Sequence, residues 1–384
     1  MRINNLPQFS AYSVIGTVTL MPLLVLPAMV GVLVDEAGMS ESFAGWVASA
    51  NFFGGALIGL LMAFRIHRLD LRRIAALGLA VAIIADTVSA FVATQHQWFL
   101  LLRFATGVAA GAAHVAALSA FARHDNVERG YGLFVTMQFI VSGLGLYVLP
   151  VYSTRLGVSG MYLMFAVLEI IALSLLGTLP GKASDNWTGF RQKSELAVLT
   201  ATVTIIAMLG YGMFEAANTA QFTYFERLGV ALEYTDHQIG TALLVASLIG
   251  IPAAFTIVII GKRFGRRGPL ALGIAIAVTG LVLLITTRSF GWYFAASCCL
   301  GFSWAFCLPY FQSLMASLDP DGSSIAAGSS ASTIGSAAGP AIAALIVGDG
   351  HYQYVFMLSI VLFSIAVTCF LFSGRGTHEM EQCA

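Results

Sequence analysis

The chain has 384 residues, of which 58% are hydrophobic and only 10% charged, and its 19 Lys and Arg balance its 19 Asp and Glu. A soluble protein of this length needs a charged surface, about a quarter of its residues, so the composition excludes a soluble globular domain and points to an integral membrane protein. The lack of net positive charge excludes a general electrostatic pull toward nucleic acid.

A bilayer core about 30 Å thick takes roughly 20 apolar residues of helix. The first apolar run, near 10–34, is longer than a signal-peptide core of roughly 7–15 residues and is read as a span that stays attached. Runs near 43–64, 73–94, 98–121, 130–152 and 159–180 follow it, then the polar stretch "GKASDNWTGFRQKSE" (181–195). Beyond it come runs near 197–221, 238–260, 268–287, 291–316, 323–348 and 352–373, of which the Ser/Gly/Ala-rich 323–348 is the weakest. Continuous runs rather than short alternating segments specify helices, not a barrel. The predicted fold is therefore all-α and membrane-integral, with twelve transmembrane helices. Residues 1–180 form an N-terminal six-helix bundle, 181–196 a linker, 197–373 a C-terminal six-helix bundle and 374–384 a tail.

Lys and Arg in short loops set the orientation. With the N-terminus inside, 15 of the 19 basic residues fall on the inner side, 3 (Arg155, Arg227 and Arg288) on the outer side, and Arg103 lies within a span. Both termini, the linker and the tail are thus expected in the cytoplasm. Arg68 and Arg263 stand 195 residues apart, each in the basic loop between the second and third spans of its half. Two six-span halves with matching loop chemistry indicate an internal duplication of the kind common in secondary transporters.

The loop after the eighth span reads "KRFGRR" (262–267) and its first-half counterpart "HRLDLRR" (67–73). The fourth span opens "RFATGVAAG" (103–111), with Arg103, Gly107 and Gly111 at every fourth position, and the eleventh holds "GSAAGPAIAA" (335–344). With these motifs the whole chain resembles the major facilitator superfamily. The basic loop resembles that family's G-x-x-x-D-R-x-G-R-R signature, the fourth span its Arg-x-x-x-Gly-x-x-x-Gly signature, and the eleventh its Gly-Pro kink. The resemblance implies two pseudo-symmetric six-helix bundles around a midplane cavity and alternating access. It also implies a conformational clamp at Arg68, Arg72, Arg73, Arg263, Gly265, Arg266 and Arg267, where cationic side chains meet helix C-termini. His67, Asp70 and Lys262 depart from the signature. In the fifth span, "SGLGLYVLPVY" (142–152) departs from the glycine-proline run of drug:proton antiporters, which favours import over export.

An ionisable side chain inside the hydrocarbon costs at least ~2.5–3.5 kcal/mol, so each is a functional candidate. The candidates are Asp86, Arg103, His114, Glu169 and Glu215. Arg103 and His114 lie eleven residues apart, within about 20° of one face and about 16 Å along the axis. Arg103 is expected to orient substrate, and His114, which titrates near neutrality, to carry a coupling proton. Asp86 sits at a depth where it can pair with Arg103. In "YGMFEAANTAQF" (211–222), Tyr211, Glu215, Asn218 or Thr219 and Phe222 share one helical face, as a substrate-facing wall requires. A carboxyl in low dielectric is favoured in its protonated form, which makes Glu215 the first choice for proton coupling and a ligand for substrate. Gln138, Asn51, Trp304 and Tyr310 complete the predicted substrate-binding set, with helix packing the alternative role for each.

The five cysteines lack the paired spacing of a zinc site. Neither a nucleophile–base set nor the spacing of an ATP-binding loop is present. The expectation is a transporter rather than an enzyme, without metal or cofactor, driven by a proton gradient. It is expected to act as a monomer in a bacterial inner membrane, with a small organic molecule and the bilayer as partners. The alternatives are a drug or metabolite efflux antiporter, a proton-independent facilitator and, remotely, a receptor without turnover.

Overall fold

The structure, a computed structural model, describes residues 6–63, 70–94, 96–121, 127–181, 202–260, 265–318, 323–348 and 350–383. Among them every regular element is helical. The chain divides into two compact units, Met1–Trp187 and Thr188–Ala384. Nine helices among the described residues are long and apolar enough to cross a membrane. Within the described residues, each of the twelve apolar runs falls on helix.

In the first unit the opening run is broken into three pieces, α1 (Leu6–Val18), α2 (Met21–Leu24) and α3 (Leu26–Asp35). Pro22 and Pro27 start α2 and α3. Proline lacks the N–H that an interior helical position needs, so each restarts the helix and frees carbonyls of the preceding turn. Then come α4 (Glu41–Ala63), α5 (Leu71–Val92), α6 (Gln97–Phe121) and the long α7 (Val127–Ser174). The last holds both the fifth and sixth predicted spans. They are separated at Gly157, whose φ of 57° and ψ of −173° suit only glycine. A short 3₁₀ turn, Leu176–Thr178, is the last described element of the unit.

The second unit comprises α8 (Thr202–Thr223), α9 (Phe225–Ala231), α10 (Asp236–Leu248), α11 (Gly250–Ile260) and α12 (Arg267–Thr286). It ends with α13 (Phe290–Leu318), α14 (Ser323–Ile346) and α15 (Tyr352–Cys383). The seventh predicted span falls on α8, with α9 continuing beyond it, and the eighth is α10 and α11. Helix α15 runs to Cys383, past the predicted end of the twelfth span.

Two features explain how these helices pack without a water-driven collapse. Glycines let backbones meet: a Cβ on Gly107 of α6 would collide with Asn51 O of α4, and one on Gly54 of α4 with Phe104 O of α6. Lipid offers apolar surface as freely as a protein core does, so close backbone approach carries the association. The outward faces stay apolar, as on α5, where Leu77, Ile84 and Phe91 at seven-residue spacing are 69%, 65% and 74% exposed. An apolar face of that kind is stable only against lipid or another protein.

A candidate coupling site and a buried charge cluster

In the second unit, Glu215 of α8 is buried to 5% exposure. Its Oε2 accepts a hydrogen bond from Ser336 Oγ of α14 at 3.3 Å, and the side chain of Trp304 from α13 donates to the same carboxyl. Three helices thus converge on one acid. One turn back on α8, the Tyr211 hydroxyl hydrogen-bonds Ser332 and Gln312, and its ring stacks on Phe311 at 5.4 Å. Among the described residues no Lys or Arg forms an ion pair with Glu215. Of the predicted set, Glu215, Trp304 and Tyr211 therefore come together. Ser332, Ser336 and Gln312 join them, although the sequence reading does not single them out. Ser332 and Ser336 stand one helical turn apart, which is the signal present for them.

The other predicted residues of this unit are engaged locally. Asn218 Nδ2 donates to Phe214 O of its own helix at 2.8 Å, and Thr219 Oγ1 donates to Glu215 O at 3.0 Å. Ser303, two turns before the predicted Tyr310 on α13, donates from Oγ to Gly273 O of α12 at 2.8 Å, which places that side of α13 in a helix contact. Tyr310 is 5% exposed and packs edge-on against Phe306. A shallow recess of about 360 Å³ along α15, lined by Ile360, Val361, Ser364, Ile365, Thr368 and Cys369, holds none of the candidate residues.

In the first unit Arg103 is 1% exposed. Its Nη1 donates to Asp86 Oδ1 at 2.5 Å and to Ser89 Oγ at 3.0 Å, so α5 supplies both partners. The guanidinium carbon lies 4.7 Å from the centre of the Tyr162 ring, a cation–π contact in a dry setting. Glu169, two turns beyond Tyr162 on α7, acts electrostatically on both Asp86 and Arg103. The expected Asp86–Arg103 pair is present, and Glu169 belongs to the same cluster.

His114 faces elsewhere. Its Nδ1 lies 3.0 Å from Gly16 O and 3.4 Å from Thr19 Oγ1, at the point where α1 gives way to α2. Ser142 Oγ donates to Leu24 O at the next break, at 2.7 Å. The interrupted first span thus has its freed carbonyls met by side chains of α6 and α7. Asn51 Nδ2 donates to Arg103 O at 3.2 Å within the close α4–α6 contact. Gln138 is half-buried on α7.

Of the predicted clamp, Arg68 and Arg263 lie outside the described residues. Arg72 donates from Nε to Leu179 O at 3.0 Å and from Nη2 to Gly177 O at 3.1 Å, where the last carbonyls of the sixth span lack helical partners. Asp70, which departs from the family signature, accepts from Arg73 N at 3.1 Å and so caps α5. Arg73 also pairs with Asp70 at 3.4 Å. Gly265 adopts φ of 64° before the exposed Arg266 and the half-exposed Arg267.

A family model described as Major Facilitator Superfamily matches residues 9–328 and again 201–381. The chain belongs to that superfamily. A curated relative from Bacillus subtilis (strain 168), described as an uncharacterized MFS-type transporter, YceJ, is 25% identical over 291 residues. The match covers 72% of this chain and 69% of the relative. Among solved structures, that of a point mutant of the nucleoside transporter NupG matches with a TM-score of 0.81 at 12% identity, over 95% of this chain and 99% of that one. The structure of a bacterial homolog of the human lysosomal transporter Spinster, inward-facing and unoccupied, matches with a TM-score of 0.78 at 13% identity. That match covers 99% of this chain and 98% of its own. At these identities the two structures establish the fold, the all-α fold of this superfamily.

Proposed function

We propose that this superfamily member is a secondary active transporter that moves a small organic molecule by alternating access, coupled to protons through Glu215. The observation that supports the coupling is the environment of that acid: buried, held by the neutral donors Ser336 and Trp304, and without a cationic partner among the described residues. A carboxyl so placed is stable neutral and becomes costly when it ionises, so taking up and losing a proton changes what the surrounding helices prefer. His114, held through one ring nitrogen to Gly16 O, keeps its other nitrogen for a proton and is the second coupling candidate. Tyr211, Trp304 and the neighbouring aromatic walls suit a substrate with polar and apolar parts. Import is the proposed direction, on the departure of the fifth-span sequence from the antiporter pattern. The proposed location is an inner membrane with both termini in the cytoplasm, on the distribution of basic residues.

The test is thermal unfolding of the detergent-purified protein against a metabolite and drug library, at mildly acidic and at neutral pH. A specific ligand raises the unfolding temperature by mass action. The proposal expects the affinity of such a ligand to depend on pH in the wild type and to lose that dependence in Glu215→Gln. An equal pH response in both proteins overturns coupling through Glu215.

A further inference from the structure

The cluster in the first unit has more buried charge than its hydrogen bonds account for. Asp86 is 2% exposed, Arg103 1%, Tyr162 0% and Glu169 3%. Arg103 Nη1 serves Asp86 and Ser89, whereas Arg103 Nη2, Tyr162 OH and Glu169 Oε2 are buried with no hydrogen-bond partner among the described residues. Three deeply buried side chains of α6 and α7 thus each leave a polar atom without a partner among the described residues, and Glu169 interacts electrostatically with both Asp86 and Arg103.

Charges reach Glu169 from the neighbouring helices. Helix α5 contributes Asp86. Helix α6 contributes Arg103, while its His114 turns to Gly16 O and Thr19 Oγ1 at the break between α1 and α2. Helix α7 itself contributes Tyr162. Helix α1 carries Tyr12, whose hydroxyl donates to Thr178 O at 3.0 Å, and α3 ends on the exposed Asp35 at the helix terminus. Among the described residues, two carboxyls therefore share a single cation, Arg103, away from water. With both ionised, the cluster holds one uncompensated negative charge, a state of high cost in a low-dielectric interior. One added proton makes it neutral. Asp86 already receives the guanidinium directly, and Glu169 has an oxygen that no donor reaches among the described residues, so the proton belongs on Glu169.

We infer that the Asp86–Arg103–Glu169 cluster is a second proton-binding site, separate from Glu215, with Glu169 its protonated member and Asp86 the counter-ion of Arg103. This stands without the Glu215 reading, because the two acids lie in different units.

Infrared spectroscopy of the purified protein in deuterated buffer tests it, since a protonated carboxyl has a carbonyl stretch distinct from that of a carboxylate. At neutral pH the wild type is expected to show such a component that disappears in Glu169→Gln and persists in Glu215→Gln. Retention of every such component in Glu169→Gln overturns the inference. Asp86→Asn provides an independent reading should Glu169→Gln fail to fold. With Asp86 neutral, Glu169 becomes the only counter-ion of Arg103, gives up its proton and loses the same component. Persistence of that component in a folded Asp86→Asn protein also overturns the inference. The Glu215 proposal fails separately, if no pH-dependent component is lost in Glu215→Gln.

Discussion

Replacing Asp86 by Asn removes the carboxylate to which Arg103 is bonded, and at 1% exposure Arg103 cannot turn toward water or headgroups. Removing one partner of a buried ion pair costs about 3–5 kcal/mol, because the other charge is stranded. Here a second acid, Glu169, faces the same guanidinium. Its ionisation in the variant holds the cost near the low end, about 3 kcal/mol, or roughly 150-fold in the ratio of folded to unfolded protein. Glu169→Gln alone exchanges a neutral acid for an amide of the same shape and costs about 1 kcal/mol or less. The double variant leaves Arg103 with no counter-ion and costs about 5 kcal/mol, so the two substitutions are coupled by about 1 kcal/mol or more. Reversible unfolding in mixed detergent micelles, followed by circular dichroism, measures all three. Strict additivity, or Glu169→Gln as the more damaging single change, would refute the charge-balance reasoning.

Three further outcomes follow from the contacts. Gly107→Ala drives a methyl group into Asn51 O; separating α4 from α6 is expected to cost at least the ~1–3 kcal/mol of an overpacked core, and a melting temperature equal to wild type would show that the contact is looser than described. Arg72→Gln loses its hold on the Gly177 and Leu179 carbonyls; at this exposed site the loss is about 0.3–1 kcal/mol at low ionic strength, shrinking as salt is added, which a salt series of melting curves checks. Trp304→Phe removes a donor from Glu215, so the pH-sensitive part of the tryptophan emission is expected to vanish in Trp304→Phe and in Glu215→Gln but to survive in Trp292→Phe.

Much of the architecture is legible because hydropathy measures the transfer free energy that puts a helix in a bilayer. The twelve apolar runs fall on helix within the described residues, and the Arg-x-x-x-Gly-x-x-x-Gly spacing marks the α4–α6 contact through Gly107 and Gly111. The interruptions are harder to read, since Pro22 and Pro27 change hydropathy little yet cut the first span into three. Likewise a single glycine, Gly157, does the work expected of a loop between the fifth and sixth spans. The pairing of Asp86 with Arg103 can be seen from depth alone because the two lie on consecutive spans. The meeting of Glu215 with Trp304 and Ser336 cannot, because long stretches of chain separate them and no local periodicity encodes which helices touch. The place of Glu169 is hidden for a related reason: the seven-residue step from Tyr162 puts both on one face, but only the fold brings that face to Arg103.

Proton-coupled transport through Glu215 is tested most directly in proteoliposomes, with a ligand that stabilises the purified protein and a pH gradient imposed across the membrane. Wild type is expected to accumulate the ligand while the gradient stands and to stop when an ionophore collapses it. Glu215→Gln is expected to equilibrate the ligand across the membrane without accumulating it in either condition. Accumulation that persists in the wild type after collapse of the gradient, or that Glu215→Gln retains, would contradict the account.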